Sequence, residues 1–150
     1  MREILFRGKY SKKSPDWIEG SFHRDEDTNI CEIAYRYYKK ENETKAGIWV
    51  YGVVDPETVG QYTGLKDKNG KKIFEGDIIR AITLDTGSEE IAVVCFGNFI
   101  DENNGDEYIG FYIEFDGIKT TVTQLAMEEC KNRIEIIGNI YDNPELLKAE

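Results

Sequence analysis

The sequence is poor in proline, cysteine and histidine, and each shortage excludes a class of protein. Its 150 residues include 3 Pro, 3 Cys and 1 His. Collagen-like and proline-rich chains are excluded, because they need far more proline and glycine. The three cysteines lie far apart with no C-x-x-C pair, which predicts free thiols in a reducing compartment. A single histidine cannot build a multi-histidine metal site, so His23 is expected to be a surface or structural residue, and no metal or cofactor is predicted.

Long apolar runs are also missing. Apolar residues make up 40% of the chain, and the run at residues 91–96 is typical in length. A membrane-spanning helix needs about 20 such residues, so no membrane partner is expected. Residues 1–3 lead into a mixed segment rather than the apolar core of a signal peptide. These features predict a cytoplasmic protein.

Basic residues are scarce, and the shortage is confined to one part of the chain. There are 19 basic and 29 acidic residues, which gives a net charge of −10. Residues 1–55 hold ten of each sign, whereas residues 56–150 hold nine basic and nineteen acidic residues. A wide phosphate-binding surface in the acidic part would be opposed by the protein's own field. Two interpretations stay open: a solvated surface that aids solubility, or one that imitates nucleic acid or meets a basic partner.

The apolar pattern predicts many short strands. Residues 31–38 alternate with period two, and residues 48–54 form a run of aromatic and β-branched residues; both patterns are typical of strands. Further runs at intervals, separated by turn residues, predict an all-β barrel or sandwich with short helices only. Residues 91–96 are predicted to be a strand, and residues 97–110 the longest irregular stretch. We divide the chain into an N-terminal β region, 1–55, and a C-terminal domain, 56–150.

Residues typical of turns and helix ends separate the predicted strands. Asp55 followed by Pro56 favours a short helical turn. Asn69 and Gly70 predict a type I′ hairpin turn, in which both residues take positive φ. Glycines are expected to make a barrel corner and to relieve a crowded strand, at Gly76 and Gly138 respectively. Short helices are predicted at residues 124–131 and at 145–149, the second capped by Asn143.

Catalytic patterns are nearly absent. The sequence has no G-x-x-x-x-G-K-[ST], no G-x-G-x-x-G and no G-x-S-x-G. Residues 82–88 are similar to the active-site turn of aspartic proteases and would make Asp85 the catalytic candidate. That mechanism needs two carboxylates, so a two-fold homodimer would be obligatory, and the competing interpretation is an ordinary hairpin turn. Residues 101–106 have some calcium-loop character, but the glycine is at position five and position twelve is Tyr112, which favours a solvated loop.

One basic cluster lies on the predicted Asn-Gly hairpin. Its members are Lys66, Lys68, Lys71 and Lys72. Tyr62 and Phe74 flank it, and lysines beside aromatic rings can bind single-stranded nucleic acid through charge and stacking. The alternative is a hairpin that is merely solvated.

Aromatic residues are plentiful, at 12% of the chain. Two neighbouring predicted strands carry several of them, and not all can point inward. A self-association surface is therefore predicted at Tyr35, Tyr37, Trp49 and Tyr51, in a homo-oligomer.

Three segments carry a family resemblance: MREILFR at residues 1–7, VDPETVGQYTGLKDKNG at 54–70 continuing to IFEGDII at 73–79, and IIGNIYDNPELL at 136–147. Together they resemble the YopX family of small proteins encoded by phages and prophages. The resemblance implies a largely β protein whose C-terminal half is a small, partly open SH3-like barrel. It implies no activity and no catalytic residues.

Three hypotheses about function follow. The leading one is a non-enzymatic, self-associating interaction module with an unknown phage or host partner. The second is a nucleic-acid-directed role, through the lysines or through mimicry by the acidic half. The third is an enzyme with Asp85 at its centre.

Overall fold

The computed structural model describes residues 3–37, 47–82, 87–122 and 132–148. The chain divides into two compact units, Met1–Gln61 and Tyr62–Glu150. The boundary predicted from the sequence lies between residues 55 and 56, a little earlier in the chain. Within the described residues all strand pairs are antiparallel, and the helical segments are two short 3₁₀ turns. The prediction of a mainly β protein with short helices only is confirmed.

The first unit is built on an antiparallel meander. Its strands are β1 (Phe6–Lys9), β2 (Trp17–Arg24), β3 (Cys31–Tyr37) and β4 (Ile48–Val54), followed by a 3₁₀ turn at Pro56–Thr58. They lie in the order β4-β3-β2-β1, and β5 (Gly60–Lys66) joins β1 through Gly60 and Gln61. The side chain of Asp55 accepts a hydrogen bond from the Glu57 N–H at 3.0 Å, so the predicted helical cap is confirmed.

The core of this unit lies on one face of the meander. Cys31, Ile33 and Val54 are buried there, and four partly buried residues pack against them: Phe6, Ile18, Phe22 and Val59. A Cβ on Gly20 would overlap the carbonyl of Ala34. Glycine is therefore what allows β2 and β3 to approach closely at this point.

The described part of the second unit contains the rest of β5 and six further strands. These are β6 (Lys72–Phe74), β7 (Asp77–Ile82), β8 (Glu89–Ile100), β9 (Glu107–Phe115), β10 (Ile118–Thr121) and β11 (Ile134–Asn139). Five of them form a sheet in the order β10-β9-β8-β7-β11, and β6 pairs with β5. Within the described ranges β10 and β11 are edges of this sheet and do not pair with each other, so the described sheet is not closed into a barrel. The SH3-like detail stays a prediction.

The core of the second unit is aliphatic. Its buried members are Ile73, Ile79, Ala92, Val94, Ile113 and Ile134. The predicted corner before β7 is confirmed: Gly76 has a φ of 84°, and the Asp77 carboxylate accepts a hydrogen bond from the Phe74 N–H at 2.8 Å. The crowding expected at Gly138 is confirmed too, since a Cβ there would lie 2.6 Å from an Asn143 oxygen.

Two sequence predictions in the second unit were wrong. Residues 97–110 are not one irregular stretch, because β8 runs on to Ile100 and β9 begins at Glu107. These strand ends were not predicted because Gly97, Gly110 and the polar residues near them have a composition typical of loops. The turn at Asn69 and Gly70 is not type I′, since Gly70 alone takes a positive φ, 79°.

Helix predictions had mixed outcomes. The predicted helix at 124–131 lies outside the described residues. The C-terminal one is a 3₁₀ turn, Pro144–Leu147, and Asn143 does not cap it. The Asn143 side chain instead accepts a hydrogen bond from the Asn139 N–H at 3.4 Å. No helix in the described part of the chain is long and apolar enough to cross a membrane.

Candidate interaction surface

Strand β4 is the outermost strand of the first unit's meander. Within the part of the chain that the structure describes, it pairs with β3 on one side only. Its sequence, IWVYGVV, contains no charged residue and no proline. Edge strands of natural proteins are usually protected by charges, prolines or bulges, because a bare edge offers free N–H and C=O groups to another strand. β4 has none of these protections within its own sequence.

The register between β3 and β4 decides which side chains share a face. Trp49 lies opposite Arg36, and Tyr51 lies opposite Ala34. Side chains alternate along a strand, so Trp49, Tyr51 and Val53 all project to the same face. Their exposed fractions are 54%, 63% and 54%. These three residues form an apolar row along the edge, which we call the β4 row.

Arg36 supports one end of the β4 row. Its guanidinium carbon lies 4.8 Å from the centroid of the Trp49 ring, and the same guanidinium donates a hydrogen bond to the carbonyl of Gly47. Both contacts restrict the Trp49 ring and the start of β4, which places a large aromatic surface in a defined position.

Tyr35 and Tyr37 lie on the opposite face of the sheet. They share it with Ile33, whose side chain is fully buried. Tyr35 is half-buried and forms a side-chain hydrogen bond with Tyr10, which raises the pKa of Tyr10. Tyr37 is exposed at the end of β3. The four aromatic residues predicted as one self-association surface are therefore divided between two faces.

Val53 is a member of the β4 row that the sequence analysis missed. The signal was present in the alternation of residues 49, 51 and 53. A selection by aromatic rings alone, without assigning side chains to faces of the sheet, leaves Val53 out.

The predicted basic cluster lies on the hairpin between β5 and β6. Lys66 pairs with Lys72 across the two strands, and Lys66, Lys68 and Lys71 are exposed. Lys68 forms an ion pair with Glu135 at 2.8 Å, which partly neutralises the cluster and lowers the pKa of Glu135. The ammonium of Lys72 lies 5.7 Å from the centroid of the Tyr62 ring.

The aromatic residues that flank these lysines are not available for stacking. Tyr62 and Phe74 are 4% and 2% exposed, and their ring centroids lie 5.5 Å apart in the interior. A base would need a free ring face. Nucleic-acid binding by Lys66, Lys68, Lys71 and Lys72 stays a prediction, and the rings give it no support.

The hairpin turn is organised by the buried carboxylate of Asp67. One oxygen accepts hydrogen bonds from the backbone N–H groups of Asn69 and Lys71, both at 2.9 Å. The other accepts from the Ile136 N–H at 3.2 Å, which ties the hairpin to β11. This carboxylate supplies the turn geometry, which explains why Asn69 does not need a positive φ.

The catalytic and metal candidates give no assembled site in the described ranges. Asp85 lies outside the described residues. In residues 101–106, both oxygens of Asp101 accept hydrogen bonds from the protein, from Asn103 on one side and from Thr120 and Thr121 on the other. The Thr121 N–H, with other donors, lowers the pKa of Asp101. No group of three or more His, Cys, Asp or Glu among the described residues is placed to hold a metal ion.

The described cysteines and the histidine occupy different environments. Cys31 is buried in the first unit's core and Cys95 is half-buried in β8, and both are free thiols. Desolvation raises the pKa of Cys95, which disfavours the reactive thiolate. His23 is exposed on β2. Cys130 lies outside the described residues.

Comparison with known proteins identifies a family. No curated protein matches the chain. Among solved structures, the chain is similar to "Crystal structure of protein EF1440 from Enterococcus faecalis", with 22% identity over 98% of this chain and 99% of that one and a TM-score of 0.46. The family described as YopX protein matches residues 5–148. That match covers nearly the whole chain, and the protein therefore belongs to the YopX family.

Proposed function

We propose that this protein is a non-enzymatic, self-associating interaction module, and that two copies join through the β4 edges. The observation that carries the proposal is the bare edge with its exposed row of Trp49, Tyr51 and Val53. Pairing two such edges would satisfy the free backbone groups and bring the two rows side by side on one face of the joined sheet.

A second copy of the chain suits this edge for two reasons. Antiparallel pairing of identical strands is self-complementary, as a two-fold interface requires. β4 also lies in the part of the chain where charges balance, ten of each sign in residues 1–55, so the copies would not repel each other there.

The midpoint of β4 defines the expected register. A two-fold axis at Tyr51 would place that ring beside its own copy and set Trp49 opposite Val53 of the partner subunit. The joined sheet would carry a continuous apolar row across the interface, and interface energy usually concentrates in such aromatic residues.

Sedimentation equilibrium of the full chain tests the proposal. We expect the wild type to be mostly dimeric at about 10 μM, as a Kd near 1 μM would require. Replacing Trp49→Lys and Tyr51→Lys together would place charges on both strands of the interface and give a monomer. Circular dichroism would verify that the double variant keeps its β content.

The matched control is Ile109→Lys, which changes an exposed apolar residue of β9 in the second unit. It should leave the mass unchanged. A wild type that stays monomeric at about 100 μM, well above ordinary homodimer Kd values, would overturn the proposal. So would a Trp49→Lys/Tyr51→Lys variant that associates as well as the wild type.

A further inference from the structure

The hairpin of β8 and β9 contains two glycines in direct opposition. Gly97 pairs with Gly110, with φ values of 151° and 158°. Among the described residues, chain neighbours aside, no atom lies within 4 Å of where a Cβ would sit on either glycine. A glycine pair in the middle of two long strands marks a site where the strands can bend.

One aromatic side chain, Phe99, lies on the same face of the hairpin as this glycine pair. Phe99 is 5% exposed and stacks on Tyr112 and Tyr108, with centroid distances of 4.7 Å and 5.6 Å. Tyr108 precedes and Tyr112 follows Gly110 along β9, so the Phe99 stack spans the glycine position. The stack fixes one face of the hairpin.

The tip of the hairpin is also fixed. The Asp101 carboxylate accepts hydrogen bonds from the Thr121 N–H at 3.0 Å and the Thr120 hydroxyl at 3.2 Å. The Glu102 N–H donates to the carbonyl of Lys119 at 3.0 Å. These contacts hold the tip against β10, so the hairpin is a rigid element rather than a loose arm.

The other face of the hairpin is largely apolar and open. It carries Phe96, Ile100, Ile109 and Phe111, which we call the hairpin face, with one amide, Asn98, opposite Ile109. Three of them are well exposed: Phe96 at 49%, Ile100 at 57% and Ile109 at 77%. The neighbouring pair on the same face, Val94 and Ile113, belongs to the buried core. The hairpin face is therefore the part of the core-facing side of the sheet that extends past the buried residues. Exposed apolar surface of this kind on a rigid element is typical of binding sites.

Acidic residues border the hairpin face. Glu107 lies directly opposite Ile100, and Glu102 and Asp106 are exposed in the same tip. Residues 81–150 hold four basic and fifteen acidic residues, so this whole part of the chain is negative. A second copy would bring like charges together here, whereas a positively charged partner would be attracted.

We infer that the hairpin face binds a cationic, amphipathic segment of another protein. Apolar side chains of that segment would cover Phe96, Ile100 and Ile109, and its basic groups would meet Glu102, Asp106 and Glu107. This binding is separate from self-association through β4 and does not depend on it. In a β4 dimer, each copy would then bind one such segment through its own hairpin face.

Fluorescence anisotropy with three labelled synthetic peptides tests this inference on the full chain. Each would be about 18 residues long, enough for five helical turns. One combines leucine and lysine in an amphipathic pattern, one replaces lysine by glutamate, and one replaces leucine by serine. We expect the leucine–lysine peptide to bind and the other two to bind at least about tenfold more weakly. One of them lacks the positive charges that would meet the acidic border, and the other lacks the apolar side chains that would cover the hairpin face.

Variants locate the binding. Phe96→Ser combined with Ile109→Ser should weaken the leucine–lysine peptide at least about tenfold, and so should Glu107→Lys. Ile109→Ser alone, at the most exposed position, keeps the test valid if the double variant folds poorly. The matched control is Ile91→Ser, on β8 but on the opposite face, which should bind as the wild type does.

Several results would overturn the inference. They are no binding of the leucine–lysine peptide, equal binding of the serine–lysine peptide, and equal binding by the Phe96→Ser/Ile109→Ser variant. A change in oligomeric mass caused by that variant would also overturn it, because the face would then be covered by a second copy. The proposed β4 dimer is judged by sedimentation of the Trp49→Lys/Tyr51→Lys variant, so the two proposals can fail separately.

Discussion

Three buried carboxylates organise the turns of the second unit. Asp67, Asp77 and Asp101 are all at most 5% exposed, and each accepts hydrogen bonds from backbone N–H groups. Burying a charge is costly unless donors surround it. These hydrogen bonds give the three carboxylates a structural role in the turns of the second unit.

Replacing Asp67→Ala should destabilise the protein by about 3 kcal/mol, because hydrogen bonds to three backbone N–H groups are lost at once. Urea unfolding followed by far-UV circular dichroism, which reports the strands of both units, would measure the free energy of unfolding. Lys71→Ala, in the same hairpin and exposed, is the control and should change stability by less than about 0.5 kcal/mol. A loss below about 1 kcal/mol for Asp67→Ala would contradict this role.

The lowered pKa of Asp101 predicts a loss of stability in acid. The Thr121 N–H is the largest cause of the lowering. A group whose pKa is lower in the folded state stabilises the protein above its unfolded pKa of about 3.9, and that contribution disappears as the pH falls through the folded value. The fall in unfolding free energy between about pH 7 and pH 3 should therefore be smaller in Asp101→Asn than in the wild type.

Asp106→Asn removes the same charge from the same loop and serves as the control. Urea unfolding at both pH values would compare the three proteins. An acid-induced loss in Asp101→Asn as large as that of the wild type would show that Asp101 is not responsible.

At the scale of elements, the β8–β9 hairpin shows how tertiary contacts override local signals. Residues 97–110 combine glycines with acidic and amide residues, a composition typical of loops. In the structure, Gly97 and Gly110 pair, and Phe99, on the same face, stacks on Tyr108 and Tyr112. The strands persist because cross-strand pairing and this aromatic stacking outweigh the loop-forming composition.

Phe99→Ala should accordingly destabilise the protein by about 3 kcal/mol, the usual cost of removing a buried phenylalanine ring. It should also speed amide hydrogen exchange in residues 98–109 more than elsewhere, since the stack fixes one face of the hairpin. Phe96→Ala, on the exposed face of the same strand, is the matched control and should cost about 1 kcal/mol or less. Equal losses for the two variants would contradict the role given to Phe99.

At the scale of the whole molecule, charge is the property that separates the two parts of the chain. Residues 1–55 are neutral, and residues 56–150 carry all ten excess negative charges. Self-association through the acidic part would be opposed at low salt, whereas association through the charge-free β4 would not.

The dissociation constant of the proposed dimer should therefore change less than about threefold between about 0.05 M and 0.5 M NaCl. Sedimentation velocity at a series of salt concentrations would measure it. Association that strengthens steeply with added salt would indicate that acidic surfaces meet, contrary to the proposed β4 interface.

Much of the strand pattern could be predicted from the sequence because strands leave local signals. The predicted run at 48–54 has the bounds of β4, and the alternation from Cys31 continues to Tyr37 as β3. The corner at Gly76 was equally readable, because positive φ favours glycine. The turn at Asn69 was misread because the Asp67 carboxylate, bonded also to distant Ile136, sets its geometry.

The sequence by itself determined that this is a mainly β, acidic protein whose negative charge is concentrated after residue 55. Only the tertiary structure decided which faces are covered and which are open: Tyr35 lies on the core side of the meander, Trp49 and Tyr51 on its open side, and Phe96 and Ile109 on the open hairpin face. The physical reason is that alternation fixes which side chains share a face within one strand, whereas strand pairing and the packing of distant segments decide which face is covered.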